Sequence, residues 1–419
     1  MSLYTFHTSL RSRALADTLH LARAKAVTLG ISRVTEITRL DQVGMPVAAS
    51  IRPDAMEGSL CVQAGKGMNR EEAFTGAYME AIEAALAEPG RAGIPVYTKE
   101  AKDILDCASH PERFLELCPR QGASINMSDA IDLVEATDFI TGKSFLIPAE
   151  LVFVPYPSAG KKGKTWFGSS SNGLASGNNR EEAITHALFE LIERDAMSFQ
   201  AVRDTSRILR PDSFPAPIRA MEKRLSKAGL QLLIRHMNHS LGLPYFMAVI
   251  VDTVFENPVY LSAGYGCHNL AEVALMRAAS EAIQSRLSFI HGGRDDLTDA
   301  FRGLRNLSEE QKQLHFQQLH AALQKSDEHI ALDEVSDVLF DTSNAQRYLQ
   351  SLVGHLQQQG FAQILTVALT PPEDALQVVK VVVPRLEHYS RHNKRIGPRL
   401  KSYIEQVHAE HLRRSQPAS

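Results

Sequence analysis

The sequence predicts an α/β (α+β) fold with mixed sheets, and two observations support this prediction. Segments rich in β-branched residues alternate along the chain with helical segments, which is the pattern of sheets covered by helices. One helical segment also occurs twice, and a looser third copy follows it. The strand-like segments are SLCVQAG, SFLIPAELVFVP, YFMAVIVDT, VYLSAGYG, AQILTVALT and VVKVVVP.

Composition narrows the class of protein and its partners. The chain has 419 residues, of which 44% are hydrophobic and 22% charged, with a formal net charge of -3. This balance predicts a globular protein and gives no electrostatic reason to expect nucleic acid or a membrane as partner. No apolar run has membrane-spanning length, and the N-terminus does not resemble a signal peptide. Four scattered cysteines without a C-x-x-C pair favour a cytoplasmic location and argue against structural zinc.

The repeated segments define the helices most sharply. Residues 69–84, NREEAFTGAYMEAIEA, align without a gap with residues 179–194, NREEAITHALFELIER, and ten of the sixteen positions are identical. Residues 271–286, AEVALMRAASEAIQSR, repeat the frame more loosely. In this third copy Gln284 replaces the last glutamate, and Arg277 stands at the position of His186 and Gly76.

Polar residues of the second copy form one stripe along the predicted helix, within about 80° around its axis. They are Glu182, His186, Glu190 and Glu193. An apolar face of Ile184, Ala187, Leu188 and Leu191 lies opposite. The first copy repeats the carboxylates at Glu72, Glu80 and Glu83. A single acidic stripe is most simply a solvated face, but two copies with matching spacing favour a shared cation, because like charges at this spacing repel.

The residue types indicate which cation this would be. Carboxylates without Cys or His pairs suit Mg²⁺ better than zinc. Mg²⁺ commonly completes its shell with waters and substrate phosphates. Arg194 and Arg277 would supply the positive charge that phosphates need. The pattern therefore predicts nucleotide binding through Mg²⁺, without a P-loop, since no G-x-x-x-x-G-K-[ST] is present.

Glycine-rich segments lie near these helices. AGKG at 64–67 and LASGN at 174–178 could bring backbone amides to an anion, with Lys66 reaching a phosphate, although a turn with an ordinary helix cap is the simpler alternative. The basic segment 158–173 carries the only Trp and is either a solvated loop or a flap that orders over phosphates.

We expect residues 1–419 to form a single domain with four sub-lobes. These are an N-terminal segment at 1–60, a nucleotide and Mg²⁺ core at 61–296, a helical excursion at 297–330 and a C-terminal part at 331–419.

The long motifs resemble the YcaO family. SNGLASGNNREEAITHALFELIERDA, GKGMNREEAFTGAYMEAIE, and GYGCHNLAEVALMRAASEAIQSR with GGRDD are similar to its signatures, and the resemblance extends from residue 38 to residue 387. It implies an α/β domain that binds ATP and Mg²⁺ through clustered glutamates. It also implies an enzyme that phosphorylates the oxygen of a peptide amide before a nucleophile attacks the same carbon.

Carried over residue by residue, the resemblance implies two sets of site residues. Its magnesium ligands fall on Glu80, Glu83, Glu182, Glu190 and Glu193. Its nucleotide contacts fall on Asn178, Arg194, Arg277, Arg11, Thr18 and Lys66, with Arg194 and Arg277 as the catalytic pair. Glu281 and Gln284 are expected to orient neighbours, and Glu72 is not an implied ligand. Gly76 departs from the pattern, because many relatives have Ser there.

The resemblance also bears on the reaction. TRLDQVGMPV at 38–47 and VVKVVVPRLE at 378–387 look like the thioamide-forming branch, and the chain ends in RRSQPAS without the Pro-x-Pro-x-Pro tail of azoline-forming enzymes. We therefore expect thioamidation of a peptide or protein substrate, with an external sulfur donor and a TfuA-like partner. The alternatives are an azoline-forming cyclodehydratase and a non-catalytic ATP-binding accessory subunit. The oligomeric state stays open, with a homodimer as one option.

Overall fold

A computed structural model describes most of the chain. The chain divides into two compact units. Unit 1 comprises Met1–Ala85 and Ser206–Tyr348, and unit 2 comprises Leu86–Thr205 and Leu349–Ser419. The single domain with four sub-lobes is not tested by this division and stays a prediction. The described residues are 3–156, 165–294, 296–297, 304, 306–326, 328–390 and 393–415.

Helices and strands alternate as the sequence predicts. The helices are α1 Leu15–Thr28, α2 Arg70–Leu86, α3 Arg113–Glu116, α4 Arg180–Val202, α5 Ala216–Lys227, α6 Ala271–His291, α7 Glu309–Gln324, α8 Ala345–Gln358 and α9 Pro398–Ser415. The strands are β1 Tyr4–Phe6, β2 Ser9–Arg11, β3 Arg33–Glu36, β4 Val47–Ile51, β5 Val62–Lys66, β6 Tyr97–Glu100, β7 Ala130–Asp138, β8 Ser144–Pro148, β9 Leu174–Gly177, β10 Arg207–Leu209, β11 Leu230–His236, β12 Tyr245–Asp252, β13 Ser262–Cys267, β14 His329–Ile330, β15 Leu365–Ala368 and β16 Gln377–Val382. No helix within the described ranges is long and apolar enough to cross a bilayer.

Unit 1 contains a five-stranded sheet in the order β13-β12-β11-β10-β14, a three-stranded sheet in the order β3-β4-β5 and the hairpin β1-β2. Among the described strands of unit 1, only the β10–β14 pair is parallel. Every residue of β12 is buried. This explains its apolar run over residues 245–251, since α6 packs on the sheet and Phe316 of α7 packs with Met247, Val249 and Val251 of β12. Because of this packing, the described helix of the 297–330 excursion is part of a core. The rest of the predicted excursion lies partly outside the described residues.

Unit 2 contains one antiparallel sheet in the order β6-β7-β15-β16-β9, with β8 also paired to β7. Helix α4 packs on β9 and β16. The expected strand over SFLIPAELVFVP is wrong beyond Pro148, where a 3₁₀ turn at Ala149–Leu151 begins. Mixed pairing thus occurs only in the five-stranded sheet among the described strands, and the α/β fold class itself is confirmed.

Each copy of the repeat is a strand followed by a helix, namely β5–α2, β9–α4 and β13–α6. The first two helices begin directly after an asparagine cap. The Asn69 side chain accepts the backbone N–H of Glu72 at 2.9 Å, and Asn179 accepts that of Glu182 at 2.8 Å. The apolar face of α4 is buried as predicted. Local periodicity and capping were therefore reliable guides to these helices.

Glycines in the strands allow the helices to approach closely. A Cβ added at Gly65 would overlap the backbone of Ala73 and Ala77 in α2, and one added at Gly266 would overlap Ala274 and Ala278 in α6. Gly177 likewise faces the backbone of Ala183 at the start of α4. These glycines of the AGKG and LASGN segments therefore serve helix–strand packing, which the sequence interpretation had not considered.

Candidate functional site

The predicted site residues divide between the two units, and each group is described by itself. Unit 1 holds Arg11, Thr18, Lys66, Glu80, Glu83 and Arg277, and unit 2 holds Asn178, Glu182, Glu190, Glu193 and Arg194.

In unit 1, Glu80 lies among charged and polar groups. Its side chain is accessible to solvent, yet the protein atoms around it raise the pKa of its carboxyl. Lys66 and Arg294 oppose this rise in pKa, and the nearby Gln284 side chain opposes it further. Glu281, at the equivalent position of α6, pairs with Lys66 at 2.6 Å between Oε2 and Nζ. Glu281 and Gln284 thus lie beside the predicted ligand that they were expected to orient.

Of the two basic residues near Glu80, Lys66 was predicted from the sequence as a site residue and Arg294 was not. Lys66 was expected to reach a phosphate, and here it forms an ion pair with a side chain of the third repeat. Arg294 had no assigned role, although it lies in the GGRDD segment. It donates Nε and Nη2 to the Asp296 carboxylate at 3.0 and 2.7 Å. The available signal in the sequence was an arginine followed by aspartates directly after a repeated helix, because arginine can bind a carboxylate through two nitrogens.

Three further predicted site residues of unit 1 lie on α2, α1 and β2. Glu83 is half-buried, one turn after Glu80 on α2. Thr18 is buried on α1 and donates its hydroxyl to the Ala14 carbonyl at 3.2 Å. Arg11 ends β2 and donates Nε to Ser9 Oγ at 3.2 Å.

Arg277 of α6 is the strongest candidate for an anion contact in unit 1. Its Nε is buried and meets no hydrogen-bonding partner among the described residues. Burial, Arg277 and Arg11 together lower the pKa of the neighbouring His268 to about 3. Two arginines near a neutral imidazole form an environment that suits a phosphate.

In unit 2, Asn178 and Glu182 are brought together at the start of α4. Both are buried. The Glu182 carboxylate accepts the Asn178 backbone N–H at 3.2 Å and its Nδ2 at 3.1 Å. In the first copy, Glu72 accepts the Met68 backbone N–H at 2.8 Å and Asn69 Nδ2 at 3.1 Å. Glu182 therefore also caps the N-terminus of its helix, as Glu72 does.

Lys380 is the main unit 2 residue that sequence reasoning missed. It is buried on β16 and donates Nζ to the Ser170 carbonyl at 2.5 Å. Burial lowers the pKa of Lys380 to about 7, and the nearby Glu190 carboxylate opposes this shift. A lysine inside the apolar run VVKVVVP was the available signal, because buried lysines need a partner.

The segment that follows β16 is held against α4 beside Arg194. Asp195 Oδ1 accepts the Glu387 backbone N–H at 2.7 Å and pairs with Arg399 Nη1 at 2.6 Å. Its burial raises the pKa of Asp195 to about 6. The segment brings His388 near Arg194, where burial and the surrounding cations lower the pKa of His388 well below its ordinary value. Three basic side chains, those of Arg194, Lys380 and Arg395, thus lie near His388.

The donor set fits Mg²⁺ held together with phosphates. Glu182 and Glu193 are buried and Glu190 is half-buried, so the stripe of α4 is not a solvated face. Within the part of the chain that the structure describes, no three His, Cys, Asp or Glu side chains form a group that could hold a metal alone. Mg²⁺ commonly binds one or two carboxylates and completes its shell with water and substrate phosphates. The carboxylates and arginines present provide these two kinds of contact.

Fold and site thus define an α/β protein whose repeated helices carry acidic and basic groups suited to a metal–nucleotide complex. A sequence model of the family described as "YcaO cyclodehydratase, ATP- and Mg²⁺-binding" matches residues 64–387. The chain belongs to the YcaO family. This membership confirms the cofactors predicted from the sequence, ATP and Mg²⁺.

Two relatives of similar length have no described activity. An uncharacterized protein of Methanothermobacter thermautotrophicus is 33% identical over 395 residues, covering 93% of this chain and 98% of its own length. An uncharacterized protein in the tfuA 3′ region of Rhizobium leguminosarum bv. trifolii is 32% identical over 388 residues, covering 89% and 87%.

Solved structures share the fold. YcaO from Methanopyrus kandleri, bound with AMPPCP and Mg²⁺, aligns with a TM-score of 0.74 at 23% identity over 95% of this chain and 98% of its own. A heterocyclase in complex with substrate and cofactor aligns with a TM-score of 0.74 at 20% identity, over 93% of this chain and 54% of its own. The E. coli microcin synthetase McbBCD complex with pro-MccB17 bound aligns at 0.61 and 14% identity, over 84% and 87%.

Proposed function

We propose that this protein is an ATP- and Mg²⁺-dependent enzyme that converts a backbone amide of a peptide or protein into a thioamide. The amide oxygen takes the γ-phosphoryl group of ATP, and ADP leaves. Sulfide from an external donor then adds to the same carbon, and the carbon–oxygen bond breaks with release of phosphate. The proposal is supported by family membership and, for the sulfur branch, by the similarity to the protein in the tfuA 3′ region over 89% of the chain.

The acidic residues would hold the metal. Mg²⁺ supplies charge neutralisation of the phosphates when bound. Glu80 and Glu83 of α2 and Glu182, Glu190 and Glu193 of α4 are the proposed ligands. When protonated, Lys380 places a positive charge beside Glu190, which favours the ionised carboxylate that a metal ligand needs.

The basic residues would hold the nucleotide. Arg277 and Arg194 are proposed to grip phosphate oxygens with planar guanidinium groups, which bind two oxygens at once. The buried Nε of Arg277 without a described partner is the single observation that best supports a phosphate at this position. Asn178, Arg11, Thr18 and Lys66 complete the proposed contacts.

A second protein is proposed to assist the reaction. A peptide amide offers little binding energy of its own, so contacts remote from the reacting carbon must position it. We propose a TfuA-like partner that presents the substrate or the sulfur, and a homodimer is compatible with this arrangement. All four cysteines are free, which fits the proposed cytoplasmic location.

The test uses a peptide extract from cells that lack this protein, freed of proteins by size filtration. The extract is incubated with the protein, ATP, Mg²⁺ and sulfide, and analysed by mass spectrometry. We expect some peptides to exchange one oxygen for sulfur, and only when ATP and sulfide are both present. Returning the protein fraction should increase this product, because it contains the partner.

The second candidate is a cyclodehydratase that uses Cys, Ser or Thr of the peptide as nucleophile. It is favoured by the family's description and by the fold shared with a heterocyclase. In the same experiment it would give peptides that lose water whether or not sulfide is added. Binding of AMPPCP and Mg²⁺ without any change in peptide mass, even with the protein fraction returned, would instead support an accessory subunit.

A further inference from the structure

A buried chain of hydrogen bonds joins the start of α6 to the start of α8 within unit 1. His268 and Asn269 lie directly before α6, and Tyr348 lies in the first turn of α8. Tyr348 Oη lies 3.1 Å from His268 Nε2 and 2.5 Å from Asn269 Oδ1. Asn269 Nδ2 donates to the Val338 carbonyl at 2.8 Å. The three side chains are almost completely buried, so these bonds are shielded from water.

The hydrogen bond to His268 Nδ1 determines which group donates and which accepts along this chain of hydrogen bonds. The backbone N–H of Leu270 donates to His268 Nδ1 at 3.2 Å, so Nδ1 carries no proton and Nε2 carries it. His268 Nε2 therefore donates to Tyr348 Oη, and the hydroxyl of Tyr348 donates to Asn269 Oδ1. The chain is complete only while His268 is neutral, since a protonated Nδ1 could not accept from Leu270.

Arg277 lies beside this chain, in the second turn of α6. It is close enough to His268 to lower the pKa of the imidazole, and close enough to Tyr348 to oppose the rise in pKa that burial causes in the hydroxyl. Its own Nε meets no hydrogen-bonding partner among the described residues. Neighbouring groups rather than bonds from Nε must therefore fix the direction of its guanidinium.

We propose that His268, Tyr348 and Asn269 are positioning residues that aim Arg277 at the nucleotide phosphates. Both nitrogens of His268 are occupied by hydrogen bonds to Leu270 and Tyr348, so the imidazole does not compete with Arg277 for an anion. The hydrogen-bonded chain also ties the start of α6 to Tyr348 and Val338, which restrains the rotation of the helix that carries Arg277. This inference rests on the proposed function, in that Arg277 contacts phosphate.

The first test measures the dissociation constant of the full chain for AMPPCP with Mg²⁺ by calorimetry. Tyr348→Phe keeps the ring and removes the hydroxyl that links His268 to Asn269. We expect binding to weaken about tenfold, as for the loss of a buried hydrogen bond. Tyr156→Phe is the matched control, because it removes a half-buried hydroxyl that donates to Asp132 Oδ2 at 2.9 Å in the sheet of unit 2. The control should bind like the wild type.

Two substitutions of His268 separate positioning from helix capping. His268→Gln can keep a donor near the position of Nε2, and His268→Asn can keep an acceptor near the position of Nδ1. Positioning through Tyr348 predicts that the Gln variant retains nucleotide affinity while the Asn variant loses it. A purely structural cap at Leu270 predicts the reverse order, and that result would overturn the inference. This pair also answers the question if Tyr348→Phe disturbs folding.

A double-mutant cycle tests the route through Arg277. If Tyr348 acts through Arg277, Tyr348→Phe should weaken binding no further once Arg277→Lys is present. Additive losses would overturn the inference and leave the proposed function standing, as would wild-type affinity in Tyr348→Phe. A wild-type chain that binds no AMPPCP with Mg²⁺ would instead remove the proposed function and this inference with it.

Discussion

The two close copies of the repeat show how one carboxylate pattern meets two different surroundings. In α2, Glu80 is accessible, and its cations come from the strand just before the helix (Lys66) and from the segment after α6 (Arg294). In α4, Glu182 and Glu193 are buried. The cation near Glu190 is Lys380, which lies on β16, a strand much later in the chain.

This difference shows that the repeated helix sequence specifies the acidic residues, whereas the cations beside them come from other segments. A carboxylate inside a protein needs a cation or hydrogen bonds to stay ionised. Each copy obtains these from other parts of its own unit. The following experiments test whether the two copies differ as the structure indicates.

Strand–helix packing should give the largest effect. Gly65→Ala places a Cβ into the backbone of α2, which no side-chain rotation can relieve, so we expect the free energy of unfolding to fall by about 3 kcal/mol or more. The equivalent position of the second copy is already Ala175, and Ala175→Gly should cost only about 1 kcal/mol. Urea denaturation measures both values. Equal losses would mean that the two copies do not differ in how closely strand and helix approach.

Substitution of the α4 carboxylates should affect catalysis more than stability. We expect Glu190→Gln and Glu193→Gln each to lower Mg²⁺-dependent ATP hydrolysis by at least about 100-fold. The melting temperature of Glu193→Gln should be no lower than that of the wild type, whereas Glu190→Gln also removes the carboxylate near the buried Lys380. Glu72→Gln is the control, because Glu72 belongs to the same pattern but is not a proposed ligand. Normal hydrolysis in both α4 variants would show that this helix does not hold the metal.

The third copy differs from the others at its start, where His268 replaces Gly67 and Gly177, and this difference predicts a pH effect. The pKa of His268 is about 3 in the folded protein and about 6.5 when unfolded. The unfolded state therefore binds the extra proton first, and stability is lost as pH falls below about 6.5, by about 1.4 kcal/mol per pH unit.

The measurement compares urea unfolding of the wild type and His268→Gln at about pH 7 and about pH 5. The wild type should lose more stability between these two pH values than the variant does. Identical pH dependence would mean that His268 is not held neutral inside unit 1.

The ion pair of the first copy should give the smallest effect. Lys66 and Glu281 have side chains that are 20% and 23% exposed, so Lys66→Gln should lower the free energy of unfolding by less than about 1 kcal/mol. Added salt should reduce the difference further. A loss of several kcal/mol, independent of salt, would show that this pair is as shielded as Lys380.

Helix starts and buried faces could be predicted from the sequence because they depend on neighbours three or four residues apart. Asn69 and Asn179 cap their helices, and the face of Ile184 and Leu188 is buried. The strand over 144–155 could not be delimited in this way, because its end at Pro148 depends on which strand it pairs with. The segment 158–164 of the expected flap lies outside the described residues, whereas Trp166 is buried and donates Nε1 to the Ser124 carbonyl at 3.1 Å.

The sequence by itself determined the α/β class, the repeated helices, the position of each carboxylate on its helix and, through long motifs, the family with its ATP and Mg²⁺. These features depend on local spacing, which a chain carries without folding. Only the tertiary structure placed Lys380 beside Glu190 and Arg294 beside Glu80, and only it joined His268 to Tyr348. Such neighbours are set by how strands pair and helices pack across large separations in sequence, and no local pattern records them.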